Sequence, residues 1–298
     1  MPQSVDADTP PSGPETAPAL THGITPGTAP ERLKTALSLD NISAGYGGAL
    51  MVENVSIIIP AGKMTVLAGA NGSGKSTLLA TIARMLRPAA GRVLLDGKAI
   101  HQIPTKAVAR RLGILPQAPR LPEGLTVFEL VSRGRFPHQT LLRQWSAADE
   151  RAVNDAMRLT GTLDFAHQPV DSLSGGQRQR CWIAMALAQE TEIILLDEPT
   201  TFLDLRYQVD ILELLFDLTR LHGRTVVVVL HDLNFAVNYA DTLLFLKQGR
   251  IRGVLADSGL CTPELIKDVF DVEVQMSVNP VTRKPFFIPF RARGHDLP

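Results

Sequence analysis

The sequence is poor in several things at once. It has two cysteines in 298 residues, Cys181 and Cys261. They stand far apart without metal-type spacing, so they read as packed thiols rather than ligands, nucleophiles or a disulfide framework. Aromatic residues make up only 5% of the chain. Charge of either sign is in balance, with 30 Lys plus Arg against 30 Asp plus Glu. A net charge of zero gives no reason to expect nucleic acid as a partner, because that calls for a basic face. No apolar run approaches the ~20 residues that cross a bilayer. "TVVVVL" and "IILLDE" have strand length. The first residues lack the cationic start and apolar centre of a signal peptide.

Seven of the 21 prolines fall in the first 30 positions, and the first Lys or Arg is Arg32. A segment of Pro, Thr, Ala, Gly and Ser cannot bury enough apolar surface to offset its ordering entropy, so residues 1–35 are expected to be a disordered tail. From Ala36 onward the pattern changes. "ALSLDNISAGYG" and "VENVSIIIPAG" read as Gly-bounded strands, "KMTVLAGA" as a buried strand, and "KSTLLATIARML" as a helix. Between about 118 and 172 the strand signal fades and helical spacing takes over, which predicts an inserted helical lobe. "QRQRCWIAMALAQE" predicts a helix with Cys181, Ala184, Met185 and Ala188 on one face. "TEIILLDEP" and "RTVVVVLHD" then alternate with helices. Such alternation predicts an α/β fold with a mostly parallel, doubly wound sheet. "DVEVQMSVNPVTRKPFFIPF" reads as a β-hairpin in a carboxyl-terminal extension, 271–298, to which the sequence assigns no chemistry.

The chemistry begins at "GANGSGKST", residues 69–77. Gly69, Gly74, Lys75 and Ser76 satisfy the phosphate-loop pattern. Its glycines let backbone N–H groups wrap a phosphate, and the helix that follows presents its positive dipole end. Asn71, Gly72, Ser73 and Thr77 complete the nucleotide-binding stretch. Lys75 can reach the β and γ phosphates, and the Ser76 hydroxyl can ligate Mg²⁺. Asp197, ending "IILLD", is the carboxylate expected to hold Mg²⁺ through its water shell. Glu198 sits where it could orient or deprotonate an attacking water. His231 and Gln117 each leave a strand at the carboxyl edge, where open α/β sheets bind ligands. Gln117 there could bridge Mg²⁺ and the water, and His231 could touch the γ phosphate.

A second glycine-rich stretch, "LSGGQRQR" at 173–180, carries no lysine. Together with Tyr46 in "GYGG", "LPQ", "IILLDEP", "TTFLD" and "LHD", it makes residues 36–270 resemble the ATP-binding cassette (ABC) ATPases. "LSGGQ" is the most specific of these motifs. The resemblance implies a P-loop cassette with an N-terminal antiparallel β subdomain and an inserted helical subdomain. It implies a head-to-tail homodimer in which Ser174, Gly175, Gly176 and Gln177 cover the γ phosphate held by the partner's P-loop. Asp204 would link the two sites. Tyr46 would stack on adenine, although a core aromatic at a strand end remains an alternative and stacking alone does not separate adenine from guanine. Phe202 departs from the small residue usual at that position.

One nucleotide-binding domain without a membrane span looks like the separate ATPase of a bacterial importer. Such a subunit works with permease subunits and a substrate-binding protein, peripherally at the cytoplasmic face of the inner membrane. "LTVFELVSRGRFPH" and "VVVVLHDLNFAVNYAD" resemble ATPases of ferric-siderophore, haem and cobalamin importers, with ferric siderophores the leading expectation. "GRFPH" taken alone could be a mere lobe turn, with Phe136 packed and His138 solvated. A soluble ABC ATPase of DNA repair or translation, and a nucleotide-binding regulator that barely hydrolyses, are the readings from other classes. The first would call for paired cassettes, coiled coils or zinc cysteines, and the second is disfavoured by Glu198 and His231.

Overall fold

The computed structural model describes residues 37–117, 124–140, 145–201 and 203–290. All of them belong to one compact unit, Lys34–Pro298. The 1–35 segment, Phe202 and the last eight residues lie outside the described set, so the readings made of them have no structural counterpart here.

Strands β1 (Leu37–Tyr46) and β2 (Ala49–Ile59) pair antiparallel across a two-residue turn. That turn is Gly47-Gly48, with φ of 58° and 86°, the left-handed pair that a tight hairpin requires and glycine supplies without strain. Strand β3 (Met64–Ala68) runs into the glycine loop and α1 (Lys75–Ile82). Strands β4 (Ala90–Leu95) and β5 (Lys98–Ala99) return to the first sheet, giving the order β2-β1-β4-β5. Helix α2 (Thr105–Ala109) and β6 (Leu112–Leu115) lead to the helical lobe of α3 (Val127–Ser132) and α4 (Ala147–Leu159). Then come α5 (Gly175–Ala188), β7 (Ile193–Asp197), α6 (Leu205–Arg220), β8 (Thr225–Val229) and α7 (Leu233–Tyr239). The chain continues through β9 (Thr242–Lys247), β10 (Arg250–Leu255), α8 (Pro263–Phe270) and the hairpin β11 (Glu273–Val278)–β12 (Pro285–Phe290).

The second sheet has the order β10-β9-β3-β8-β7-β6. Only β10 is antiparallel; β9, β3, β8, β7 and β6 run parallel. Its central strands are buried on both faces, which is why they read as continuous apolar runs rather than alternating ones. The period of two nevertheless divides them between two cores. Val66, Leu196, Val228 and Phe245 face the core shared with the helical lobe, α5, α6 and α7. Leu67, Leu195, Val227 and Leu246 face the core shared with α1 and the antiparallel sheet. Each such side chain contributes roughly 1.5–3 kcal/mol of hydrophobic stabilisation. A one-residue slip of register would exchange the two sets.

Helix α5 departs from the sequence expectation. Trp182, Ile183 and Ala186 are buried along with Cys181, Ala184 and Ala188, while Met185 is only half-buried. The helix is therefore enclosed on most sides, between the sheet and α3 and α4. Periodicity reports an apolar stripe only when the opposite face meets water.

The "GRFPH" segment also differs from a plain lobe turn. Phe136 is 61% exposed, and His138 Nε2 lies 2.8 Å from the carbonyl of Gln189. Gly134 packs so closely on α5 that a Cβ there would come within 2.3 Å of the Met185 carbonyl oxygen. Arg135, 4% exposed, donates from Nε to Asp149 Oδ1 at 2.9 Å and from a terminal nitrogen to the Ala188 carbonyl at 2.6 Å and Glu190 Oε2 at 2.7 Å. The segment staples the lobe to the far end of α5.

Candidate active site

Parallel strands place their carboxyl ends at one edge, and that is where the chemistry collects. The glycine loop follows β3, Gln117 follows β6, Asp197 ends β7, and His231 follows β8. A cleft of about 420 Å³ at this edge is lined by Asn71, Gly72, Gly74, Lys75, Ser76, Thr77, Gln117, Glu198, Thr201 and His231, together with Met51.

Two glycines of the loop are required by geometry. Gly69 has φ 152°, and a Cβ there would stand 2.2 Å from the Leu246 carbonyl oxygen. Gly74, at φ 101° as the N-cap of α1, would place a Cβ 2.6 Å from the Met51 carbonyl. Neither site admits a side chain, so the backbone itself lines the cleft. The Ser73 hydroxyl is buried without a partner among the described residues.

Lys75 is buried, and its ammonium donates to the carbonyls of Gly69 and Ala70, both at 2.9 Å. Burial lowers its pKa, while Glu198 and Asp197 pull it back up. Ser76 Oγ donates to Asp197 Oδ1 at 3.1 Å. Burial raises the pKa of Asp197 above the ordinary carboxylate range, against the opposing Ser76 hydrogen bond.

Glu198 sits at the centre. Its Oε1 lies 2.7 Å from His231 Nε2. Its Oε2 accepts from Gln117 Nε2 at 2.6 Å and from Thr201 Oγ1 at 3.2 Å. Its φ is 53°, a left-handed conformation that costs roughly 1–3 kcal/mol in a non-glycine residue and persists only where the surroundings over-determine it. Thr201 lies in "TTFLD" but has no role assigned from the sequence, although its hydroxyl stands three positions after the glutamate. Met51 gave no signal, because its place depends on the folded chain bringing β2 against Gly74 and Gly249.

The remaining expected residues stand apart from this cleft. Tyr46, at the end of β1, is 58% exposed, which removes the core-aromatic alternative; it is not among the cleft-lining residues. Ser174 caps α5: its hydroxyl accepts from the Gln177 N–H at 3.2 Å, and Gln177 Oε1 accepts from the Ser174 N–H at 2.9 Å. This reciprocal box leaves Gly175 and Gly176 at the opening of the helix. Asp204 caps α6, accepting from the Tyr207 N–H at 3.2 Å. None of these lines the chain's own phosphate cleft.

A family model described as "ABC transporter" matches residues 52–201. The chain is 51% identical over 263 residues to the "Probable siderophore transport system ATP-binding protein YusV" of Bacillus subtilis, covering 88% of this chain and 95% of that one. It is 50% identical over 264 residues to the achromobactin transport ATP-binding protein CbrD of Dickeya dadantii, with 89% and 97% covered. It is 48% identical over 250 residues to the ferric enterobactin transport ATP-binding protein FepC of Escherichia coli, with 84% and 92% covered. Among solved structures, the dimeric bacterial ABC transporter cassette MJ0796 superposes with a TM-score of 0.67 at 30% identity, covering 74% of this chain and 97% of that one.

Proposed function

Since the chain belongs to the ABC transporter family as one of its ATP-binding, ATP-hydrolysing subunits, we propose that it energises a bacterial importer of ferric siderophores. The observation that carries the chemistry is the convergence of Lys75, the Ser76–Asp197 pair and Glu198 at one sheet edge. Kinship to proteins named for siderophore, achromobactin and ferric enterobactin transport supports this reading of the cargo.

The residues divide the work. Backbone N–H groups of the glycine loop and the start of α1 receive the phosphates, and Lys75 exchanges its two carbonyl partners for phosphate oxygens. Ser76 and Asp197 offer a hydroxyl and a carboxylate oxygen side by side, a hard-oxygen pair suited to Mg²⁺. Among the described residues, no group of three or more His, Cys, Asp or Glu side chains is placed to hold a metal ion by itself. A cation with two protein oxygens and otherwise phosphate and water ligands fits that arrangement. Mg²⁺, when bound, would neutralise charge on the β and γ phosphate oxygens. Glu198 accepts a proton from, or orients, the water that attacks the γ phosphate. His231 and Gln117 hold its two oxygens in place and face the same phosphate.

Ser174–Gln177 lie outside their own cleft, which supports their acting on a second copy. Two chains then meet head to tail, with each α5 opening over the other's γ phosphate and Asp204 between the sites. ATP favours the closed dimer and hydrolysis releases it, because only a ligand with different affinity for two states can drive a cycle. Tyr46 stacks on the adenine. Among the described residues, no helix is long and apolar enough to cross a membrane. In this reading translocation belongs to integral membrane permease subunits, with this ATPase docked peripherally at the cytoplasmic face of the inner membrane and a substrate-binding protein acting through the permease.

The test is a pull-down from native membranes with Glu198→Gln and Mg-ATP. Co-purification of a polytopic permease in stoichiometric yield supports an importer, and its identity reports the cargo. A soluble ATP-locked dimer without a membrane subunit would keep the cassette chemistry and refute the transport role.

A further inference from the structure

We propose that the carboxyl-terminal hairpin belongs to the ATPase machinery: Asn234 and the Lys284–Phe287 stretch set the position of α7, and through α7 that of His231 against Glu198. This rests on the role given to His231 above.

His231 lies between the end of β8 and the start of α7, with only the N-cap Asp232 separating it from the helix. Helix α7 has seven residues, too few to hold its own shape in water. Its placement must come from contacts. Asp232 closes its first turn, accepting from the Phe235 N–H at 2.8 Å, and Ala236 and Val237 are buried. Of its other side-chain hydrogen bonds among the described residues, one joins Tyr239 to Glu213 of α6 at 2.6 Å and the rest come from the hairpin. Asn234 Oδ1 accepts from the Phe287 N–H at 2.8 Å, and Asn234 Nδ2 donates to the Phe287 carbonyl at 3.1 Å. One carboxamide thus satisfies both backbone groups of a single strand residue, as a neighbouring strand would.

The last turn is held as well. Lys284 Nζ donates to the carbonyls of Val237 at 3.2 Å and Asn238 at 2.7 Å, the orphan acceptors of a helix end. Thr282 Oγ1 donates to Asn238 Oδ1 at 2.9 Å. The hairpin is itself anchored by Phe287, 1% exposed in the larger core. It therefore grips α7 at both ends, and the near grip is three residues from His231. At its other side His231 meets Glu198 at 2.7 Å, a distance at which a shift of about 1 Å can lower turnover on the order of a hundredfold. A hairpin that merely covered apolar surface would need Phe287. It would not need to saturate the helix with side-chain hydrogen bonds.

The test uses the full chain: steady-state ATP hydrolysis and thermal melts for wild type, Asn234→Ala, His231→Ala, the double variant, and Lys267→Ala. Lys267 ties α8 to the hairpin through Glu273 at 2.5 Å without touching α7. Asn234→Ala should lower kcat about five- to tenfold with KM for ATP within about twofold, because no phosphate contact is altered. The double variant should be no slower than His231→Ala, since residues acting as one unit are not additive. Lys267→Ala should leave both parameters unchanged. Should Asn234→Ala fold poorly, Asn234→Asp keeps the Phe287 N–H acceptor and should give an intermediate kcat. Normal kcat in Asn234→Ala or Asn234→Asp, beside an impaired His231→Ala, would overturn this inference alone; so would additive losses in the double variant. Normal turnover in His231→Ala would overturn the role of His231 and this inference with it.

Discussion

Ser76 Oγ donates to Asp197 Oδ1 at 3.1 Å across 121 positions of sequence. The two residues reach each other because β3 and β7 run in the same direction in one sheet, each delivering its following residues to the same edge.

Burial gives this pair a pH signature. The folded protein holds the Asp197 proton more tightly than the unfolded chain does. Ionising Asp197 therefore weakens the fold. That cost is absent well below the unfolded value of about 3.9 and complete once pH exceeds the raised folded value. Asp197→Asn removes the cost while retaining an oxygen for Ser76. Without nucleotide at neutral pH, its melting midpoint should exceed that of wild type, and the difference should shrink on acidification. Mg-ATP should stabilise the wild type and not the variant. Thermal melts over pH, with and without Mg-ATP, check all three.

Glu198→Gln keeps size and hydrogen-bonding capacity but no longer carries a basic carboxylate. Turnover should fall about 10²- to 10⁴-fold, with ATP affinity retained. A phosphate-release assay beside equilibrium nucleotide binding measures both. Equal hydrolysis by the two proteins would remove Glu198 from its role.

Signature residues that work on a partner's phosphate predict complementation. Lys75→Ala and Ser174→Arg should each be inactive as pure proteins. Mixed in equal amounts, half of the dimers carry one intact composite site, so about a quarter of wild-type turnover should return. If the mixture stays inactive while size-exclusion chromatography shows exchange of subunits, the arrangement in trans is wrong.

Arg135 and Asp149 are buried together at 2.9 Å. Arg135→Ala strands the carboxylate and should destabilise the chain by about 3–5 kcal/mol, whereas Arg135→Met with Asp149→Leu should cost much less. Urea unfolding of the three proteins compares them. A double variant as unstable as the single one would mean that the Arg135 contacts to Ala188 and Glu190, rather than the ion pair, hold the lobe.

Residues whose role is carried by the backbone or by the next few positions are legible in the chain alone. "GANGSGKST" announces its loop because its glycines must adopt conformations and close approaches that side chains forbid, as Gly69 and Gly74 do. Strands buried on both faces announce themselves as apolar runs, and Ser174 with Gln177 encodes its own helix cap. The tertiary structure alone decided which distant groups meet. Met51 beside Gly74, Gln117 on Glu198, Arg135 between Asp149 and the end of α5, and Asn234 on Phe287 are contacts between residues 14 to 81 positions apart. No local periodicity encodes them, because a side chain's partner is set by strand order and helix packing rather than by its neighbours in sequence. For the same reason the apolar spacing of α5 suggests a single buried face where the fold encloses the helix on most sides. A periodic pattern records where water is, and inside a layered α/β core there is little water on any side.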